Sequence, residues 1–320
     1  MPKMVKEVIF MLNFSKVCLH NGAFHFDELL ALAFCFMLGM REDVEIVRTR
    51  DPKEWEDNDS LVLDLGRSYD GCRFFDHHQD ESPVREKYYC LADRDDIPKT
   101  PHCTAGIIWR DFGHIISEMY VGSELSDKFF RIIDKKLVMP IDFDDNGVEL
   151  PESPQVLPDL SFGQMITAIN YADPNNDEEQ MIRFRIALGH LRDLLRFYFE
   201  KMALKVTSEA EVRKSFEEAI SNGSETVFVP YPGWKSVIQG DDDLWERSAH
   251  IKAVIGNRGE GFAILMMPLT RESPFDMRYR IPMSLKYEFS EIEFIHKNGF
   301  MCVLNSLEHL NEIVGKLEKC

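Results

Sequence analysis

The chain has 320 residues, 44% hydrophobic and 29% charged, the balance of a folded globular protein of roughly two domains. Its 37 basic and 55 acidic residues give a formal net charge of −18. This charge disfavours tight non-specific binding to long nucleic acids, because such binding depends on lysine and arginine displacing counterions. The longest apolar run, Leu29–Met40, is too short to cross a bilayer, so we expect no membrane partner.

Cysteine usage and the N-terminus both favour a reducing compartment. The seven cysteines are odd in number, scattered and never spaced as CxxC, which indicates free thiols. Glu7 interrupts the positive charge of Lys3 and Lys6, and the apolar run Val8–Leu12 is too short for a signal-peptide core. We therefore expect an intracellular protein, either cytoplasmic or nuclear, with a mitochondrial location left open.

In the first half of the chain, short apolar runs alternate with longer helical patterns, which is typical of a parallel α/β sheet. The predicted strands are 17–19, 44–47, 61–63 and 73–75. The predicted helices are 27–38, 104–119 and 126–139. A polar segment at 142–147 then leads into a loop that is predicted to extend to residue 158.

The second half follows a different pattern. Residues 177–222 predict two helices broken near Thr207 and Ser208, because Ser208 and Glu211 form a capping-box pattern. Beyond Gly223 we predict strands at 226–229, 236–239, 251–255, 262–266, 292–296 and 300–304, and a closing helix at 306–319. The expected organisation is an α/β domain with connecting helices over 1–200, followed by a smaller α+β domain over 201–320.

Polar side chains directly follow four apolar runs of the first half. In an open parallel sheet, ligands bind outside the carboxyl ends of the strands, so these positions are the first candidates for a functional site. The residues are His20, Asp64, Asp76, His77, His78 and Asp142, and the segment after His20 adds His25 and Asp27 around Gly22.

Each of these residues alone is more often a core, cap or turn residue. Together they form a mixed set of nitrogen and oxygen ligands, which suits Mn²⁺, Zn²⁺ or Fe²⁺. The set is also too large for one tetrahedral zinc ion. We therefore expect two metal ions that share a bridging carboxylate, an arrangement that hydrolyses phosphate esters by holding the attacking and leaving oxygens.

The triplet Asp76-His77-His78 resembles the signature of the DHH phosphoesterase superfamily. The wider pattern resembles its Myg-type (melanocyte-proliferating-gene, MYG exonuclease) branch, through the segments 20–28, 47–52, 75–79, 142–147, 105–106, 232–235, 280–282 and 294–300. This resemblance implies a two-domain hydrolase with a DHH-type metal-binding catalytic domain and a substrate-binding second domain. Members of the branch act as 3′-to-5′ exonucleases on RNA, and relatives in the superfamily hydrolyse pyrophosphate, cyclic dinucleotides and short oligonucleotides.

The resemblance also implies the metal ligands. One ion is expected on His20, His25 and Asp64. The other is expected on Asp27, Asp64, His77 and Asp142, so that Asp64 bridges the two. Asp145 can replace or assist Asp142, and the sequence leaves that choice open. Two Mn²⁺ ions are the preferred cofactors, with Mg²⁺, Zn²⁺ and Fe²⁺ as alternatives.

Three residues are assigned to catalysis: Asp64, Asp76 and His78. We expect His78 to contact substrate and not metal, because neighbouring residues of an extended segment point to opposite sides and His77 takes the metal. The substrate-binding candidates are Arg48 and Arg50, which alternate on a predicted strand, and His296 and Lys297, near the end of a strand in the second domain.

One segment departs from the family pattern. Cys302 and Val303 stand where members carry a Gly-Gly-His-like element, and their Cβ atoms are expected to obstruct approach of the backbone to a phosphate. The resemblance as a whole implies a metal-dependent phosphodiesterase, a 3′-to-5′ exonuclease that acts on RNA or short oligonucleotides, and two alternatives stay open. One is a phosphohydrolase of a small phosphoanhydride or dinucleotide, and the other is a non-catalytic metal-binding interaction module.

Overall fold

The computed structural model describes residues 13–79, 82–86, 99–148, 162–229, 233–273 and 276–320. The N-terminal residues Lys3, Lys6, Glu7 and Val8–Leu12 and most of the predicted loop before residue 158 lie outside these ranges. The chain divides into two compact units, Met1–Ala203 and Leu204–Cys320. The predicted boundary after residue 200 falls three residues before this division. In the described ranges, no helix has the length and apolarity needed to cross a bilayer.

The first unit contains a four-stranded sheet in which every neighbouring pair is parallel. Its strands, in the order β2-β1-β3-β4, are β1 (Lys16–Leu19), β2 (Glu45–Arg48), β3 (Ser60–Leu63) and β4 (Phe74–Phe75). All four residues of β3 are buried, as expected for a central strand covered on both faces. The prediction of a parallel α/β arrangement in this half is confirmed.

The helices of the first unit are α1 (Phe26–Met37), α2 (Thr104–Val121), α3 (Ser126–Ile133), α4 (Met139–Asp145) and α5 (Phe162–Thr167). Helix α6 (Asp177–Asn222) begins in the first unit and continues into the second. Short helical turns occur at Pro52–Trp55, of the 3₁₀ type, and at Asp134–Val138, of the π type. Helix α1 is apolar on nearly all sides and therefore buried, with the Phe34 ring 5.2 Å from that of Trp109 on α2.

Two predictions in this region are wrong. The apolar run 138–141 before Asp142, which is treated above as a strand end like the other three runs, is the start of helix α4. Pro140 lies in the first turn of this helix, where a missing amide costs no helical hydrogen bond. The predicted break near Ser208 is absent, since α6 is continuous. The hydroxyls of Thr207 and Ser208 both donate to the carbonyl of Leu204, which satisfies them inside the helix.

The second unit is α+β. Its five-stranded sheet has the order β5-β6-β7-β10-β9, with β5 (Thr226–Phe228), β6 (Ala253–Arg258), β7 (Gly261–Met266), β9 (Ile292–Ile295) and β10 (Met301–Leu304). Only the β5–β6 pair is parallel. A separate pair joins β8 (Tyr279–Arg280) to β11 (Glu318–Lys319). The helices are α7 (Trp234–Gln239), α8 (Asp242–Arg247), α9 (Leu285–Glu288) and α10 (Leu310–Gly315).

Two element predictions in this unit are also wrong. Residues 236–239 lie in helix α7 and not in a strand, and the closing helix covers only Leu310–Gly315 before the chain continues into β11. Cys302 lies on β10 between β7 and β9 and is fully buried in the core of the unit, where burial raises the pKa of its thiol to about 12. Cys302 is therefore a packing residue and an unreactive thiol.

Candidate metal centre

The polar residues that follow the parallel strands converge at the carboxyl edge of the sheet. His20 follows β1, Asp64 follows β3 and Asp76 follows β4. They line a cavity of about 510 Å³. The predicted site residues on its wall are His20, His25, Arg50, Asp64, Asp76, His77, His78 and Asp145. The wall therefore brings together residues that are more than 120 positions apart in the chain.

The first ligand group contains His20, His25, Glu28 and Asp64, whose ligand atoms lie within 4.8 Å of one another. Nδ1 of His20 lies 3.0 Å from the carbonyl of Asn21, so we assign the ring proton to Nδ1 and the free lone pair to Nε2. Nε2 lies 3.0 Å from Glu28 Oε1 and 3.5 Å from Asp64 Oδ2, yet makes no hydrogen bond with any described residue. A buried lone pair among carboxylates suits a cation.

Glu28 is a member of this group that the sequence analysis did not assign. It is fully buried on α1. At the start of the helix, the His25 amide donates a hydrogen bond to the Glu28 carboxylate, with both oxygens at 2.9 Å. The His25-x-x-Glu28 spacing is that of a helix-capping pair, and it is the one feature of the sequence from which the position of the Glu28 carboxylate can be predicted. The contact fixes Glu28 beside the His20 ring.

The second ligand group contains Asp27, His77 and Asp145. Asp27 accepts hydrogen bonds from the amides of Thr104 (2.9 Å) and Ala105 (2.6 Å), so its carboxylate caps the N-terminus of α2. His77 lies between the two carboxylates, with Nδ1 3.6 Å from Asp27 and Nε2 3.2 Å from Asp145. Nδ1 of His77 and Oδ2 of Asp145 are buried and lack a hydrogen-bond partner in the described part of the chain.

Asp64 belongs to the first group and also approaches the second, with one oxygen directed to each. Its Oδ2 lies 3.5 Å from His20 Nε2, and its Oδ1 lies 3.9 Å from His77 Nδ1. Its backbone is left-handed, with φ at 53°, and its amide donates to the carbonyl of Phe75 on the neighbouring strand. Non-glycine residues in this conformation are strained and concentrate at functional sites. The side chain thus directs one carboxylate oxygen toward each ligand group.

Asp142 does not join either group. Its Oδ2 accepts from Arg85 Nε at 2.8 Å and lies 2.9 Å from His102 Nδ1, while its Oδ1 accepts from the amide of Cys103 at 3.0 Å. Gly106 permits this placement, because a Cβ there would lie 2.1 Å from Asp142 Oδ1. The structure thus directs Asp142 into a buried ion pair and places Asp145, one helical turn later on α4, at the cavity.

Asp76 orients His78. Its Oδ1 accepts from the amide of His78 at 2.8 Å and lies 2.7 Å from His78 Nδ1, and its Oδ2 accepts from the amide of Arg67 at 2.7 Å. The hydrogen bond to Asp76 raises the pKa of His78, although burial opposes it.

The expectation that the His77 and His78 side chains point to opposite sides is wrong. Their rings stack with centroids 4.1 Å apart. The physical reason is that β4 ends at Phe75, so residues 76–78 form a bend and do not alternate as a strand would. His78 also lies 3.6 Å from Asp64 Oδ1, within reach of the same centre.

The electrostatics of the cluster favour a bound cation. Burial raises the pKa of Asp64 to about 6, and nearby Glu28 adds to the effect. Burial, together with the charge of Asp64, raises the pKa of Asp145 to about 7. Burial also lowers the pKa of His77 to about 4, which keeps its ring neutral and able to act as a ligand. Carboxylates crowded in this way are stabilised as anions by divalent ions.

The substrate-binding candidates are placed differently from one another. Arg50 lines the cavity. Arg48 lies behind it, with its guanidinium 4.9 Å from the Phe184 ring and donating to the carbonyl of Gly22, and burial lowers its pKa. His296 and Lys297 lie in the second unit, in the turn between β9 and β10, where the His296 amide donates to the carbonyl of Met301 at 2.9 Å.

Comparison with known proteins identifies relatives. The family model MYG1_exonuc, described as an uncharacterised protein family (UPF0160), matches residues 16–316. The MYG1 protein YER156C of Saccharomyces cerevisiae is 33% identical over 190 residues, covering 55% of this chain and 52% of that protein. The MYG1 exonuclease of Bos taurus is 31% identical over 215 residues, covering 63% of this chain and 53% of that protein. The chain thus spans about half the length of these two relatives.

Solved structures of RecJ are also similar. RecJ in complex with Mn²⁺ from Thermus thermophilus is 12% identical, with a TM-score of 0.26, over 98% of this chain and 53% of that chain. A second structure, exonuclease RecJ bound to manganese, is 11% identical, with a TM-score of 0.26, over 98% of this chain and 93% of that chain. At these scores the superposition assigns no role to any residue of this chain.

Proposed function

Because this chain belongs to the MYG1 family, we propose that it is a metal-dependent phosphodiesterase, a 3′-to-5′ exonuclease that acts on RNA or short oligonucleotides. The name MYG1 exonuclease, carried by relatives from cattle and humans, supports the nuclease assignment. The observation that carries the proposal is a set of three buried side-chain atoms of the two ligand groups that have no hydrogen-bond partner among the described residues: His20 Nε2, His77 Nδ1 and Asp145 Oδ2. Such atoms are stabilised by a bound cation.

We assign two divalent ions to this centre, with Mn²⁺ as the first expectation because the donors are mixed nitrogen and oxygen atoms. One ion is held by His20, His25, Glu28 and Asp64, and the other by Asp27, Asp64, His77 and Asp145. When bound, two such ions supply positive charge to a phosphate group and a hydroxide nucleophile near neutral pH. The capping contacts of Asp27 and Glu28 hold these two carboxylates in place before any ion binds.

The chain's own residues orient the substrate and handle a proton. Asp76 accepts a hydrogen bond from His78 Nδ1, which leaves His78 Nε2 to donate to a phosphate oxygen or to the leaving oxygen. The raised pKa of His78 keeps more of the ring protonated near neutral pH. Arg50 lines the cavity and contributes a guanidinium for a substrate phosphate.

Short substrates are favoured over long ones. A net charge of −18 repels each phosphate that lies beyond the positive centre, so a longer strand gains little additional binding. A dinucleotide or a small phosphoanhydride also offers a phosphate group to the same metal centre, so hydrolysis of those compounds is the alternative activity. The charge argument applies equally to both classes, so only a substrate panel distinguishes them.

The experiment uses the purified chain, stripped of metal and reloaded with Mn²⁺. It is incubated with single-stranded RNA labelled at the 5′ end or the 3′ end, with a dinucleotide and with pyrophosphate. The proposal predicts a ladder of shortening products from the 5′-labelled strand and immediate release of a labelled mononucleotide from the 3′-labelled strand. Asp64→Asn should lower the rate by orders of magnitude, whereas His190→Asn, which replaces an exposed histidine on α6, should leave it unchanged.

Other outcomes overturn the proposal. Immediate release of a mononucleotide from the 5′-labelled strand would reverse the direction. Hydrolysis of pyrophosphate alone would move the function to phosphoanhydrides. A protein that binds two ions but hydrolyses none of these substrates would be a metal-binding interaction module.

A further inference from the structure

Two arginines, Arg50 and Arg67, line the cavity although the protein is strongly acidic. Arg67 lines the same wall as Arg50, Asp64 and His78, and neither the Arg50 nor the Arg67 guanidinium forms a hydrogen bond or ion pair with a described residue. Most arginines of this unit do the opposite, as Arg73 does with the carbonyls of Ser60 and Trp55. Two guanidinium groups on one cavity wall, each without a partner among the described residues, are available to bind an anion.

The backbone of Arg67 gives a second and independent observation. Its φ is 51°, a left-handed value that favours glycine, and its side chain is exposed. Packing of the side chain therefore does not explain why an arginine occupies this position. The amide of Arg67 donates to Asp76 Oδ2, so the residue is joined to the carboxylate that orients His78. A strained residue held beside the site in this way indicates a functional side chain.

Trp55 supplies an aromatic wall to the same cavity. It ends the short helical turn Pro52–Trp55 and packs against the apolar cluster that contains Val62 and Leu65, while it also lines the opening. Of the four tryptophans in the chain, Trp55 is the one on this wall. A ring supported from below and open to a cavity is a surface on which a nucleobase can stack.

We propose that Arg67 and Trp55, together with Arg50, form a subsite for a nucleoside 5′-monophosphate unit, with Arg67 on its phosphate and Trp55 against its base. This inference rests on the proposed function, because the bound unit is then the terminal nucleotide of the substrate and, after hydrolysis, the released product. Recognition of both a phosphate and a base selects nucleic acid over pyrophosphate. Arg67 and Trp55 are therefore specificity-determining residues.

The test measures binding separately from hydrolysis. Mn²⁺-loaded protein is titrated with AMP, adenosine and inorganic phosphate, with tryptophan fluorescence and calorimetry as readouts. AMP is a phosphomonoester and is not consumed by a phosphodiesterase. Arg67→Gln should weaken AMP binding about 10-fold and leave adenosine binding unchanged, because one charged hydrogen-bond donor to the phosphate is lost. Trp55→Leu should weaken AMP binding roughly 5- to 150-fold and leave phosphate binding unchanged.

Two further variants separate function from structure. Arg131→Gln removes the same charge from an exposed position on α3 and should leave AMP binding intact. Arg67→Gly should raise the unfolding temperature by about 2–4 °C, because glycine takes the left-handed backbone without strain, and should still lose AMP affinity. A purely structural Arg67 would not lower AMP affinity when it is replaced by glycine.

The two proposals fail separately. If parent, Arg67→Gln and Trp55→Leu proteins bind AMP equally and hydrolyse RNA equally, the subsite is refuted and the exonuclease proposal stands. If the parent binds AMP as described but hydrolyses no phosphodiester, the exonuclease proposal is refuted and the nucleotide subsite stands. A loss of AMP binding equal in Arg131→Gln and Arg67→Gln would show that only net charge matters and would also refute the subsite.

Discussion

Gly106→Ala should destabilise the first unit, because Gly106 leaves the space that Asp142 occupies. An added Cβ would lie 2.1 Å from Asp142 Oδ1 and 2.9 Å from its Cγ, closer than real Cβ contacts. Asp142 cannot move away without disturbing its buried ion pair with Arg85, at 2.6 Å. Helix α2 cannot move either without displacing the amides of Thr104 and Ala105 that hold Asp27.

The magnitude follows from these contacts. Overpacking a dense site costs about 1–3 kcal/mol, and loss of one partner from a buried ion pair costs about 3–5 kcal/mol. We therefore expect Gly106→Ala to lower the free energy of unfolding by about 2–5 kcal/mol, a fall in Tm of roughly 5–20 °C for a unit of this size. Part of the metal affinity should be lost with it, since Asp27 shifts with the helix terminus.

The assay is thermal and urea unfolding of parent and variant, with metal content measured on the same samples. Gly189→Ala is the matched control, because Gly189 lies inside α6 and an added Cβ there would meet no described atom within 4 Å outside the local helix backbone. Alanine should stabilise that helix by about 0.5–1 kcal/mol. An unchanged Tm in Gly106→Ala, or equal shifts in the two variants, would refute the packing argument.

Three further predictions concern the site. Asp145→Asn should lower metal content with little change in Tm, whereas Asp142→Asn should lower Tm by destabilising the ion pair with Arg85. A larger loss of metal in Asp142→Asn than in Asp145→Asn would show that Asp142 is the metal ligand. His78→Ala should retain nearly normal metal content and lose about 10²-fold in kcat, and loss of metal together with rate would make His78 a ligand. Burial raises the pKa of Asp142, but the hydrogen bond from His102 and the charge of Arg85 outweigh it and lower the pKa below its ordinary value of 3.8. The contribution of Asp142 to stability is therefore complete above pH 3.8 and lost as the pH falls through its folded pKa. The Tm of Asp142→Asn should then fall less steeply than that of the parent as the pH is lowered, and parallel curves of Tm against pH would contradict this.

Much of the fold could be predicted because strands of a parallel sheet read as short apolar runs. Residues 61–63 are apolar without exception, and they lie in β3, which is buried over its whole length. Residues 236–239 are predicted as a strand, although they belong to helix α7, because so short a run with two adjacent apolar residues fits both periods. The buried residues of α7, Trp234, Val237 and Ile238, are spaced i, i+3 and i+4, so the helical period was present in a segment too short to be decisive.

The candidate site shows where local sequence patterns stop being informative. Strand ends identified His20 and Asp64 because the position of a residue after a strand fixes where its side chain lies. The choice between Asp142 and Asp145 depends on Arg85, which lies 57 positions before Asp142 and pairs with it only in the folded chain. Glu28 matches a capping pattern that also describes many helices without a metal site.

The most direct test of the account is the number of ions that the protein holds. Metal-free protein should be titrated with Mn²⁺ by calorimetry, and the content of the washed complex should be counted by mass spectrometry, for parent and Asp64→Asn. The account predicts two ions in the parent and a loss of affinity at both positions in Asp64→Asn, because Asp64 presents an oxygen to each ligand group. Full occupancy of both positions in Asp64→Asn, or a single ion in the parent, would contradict a shared two-metal centre.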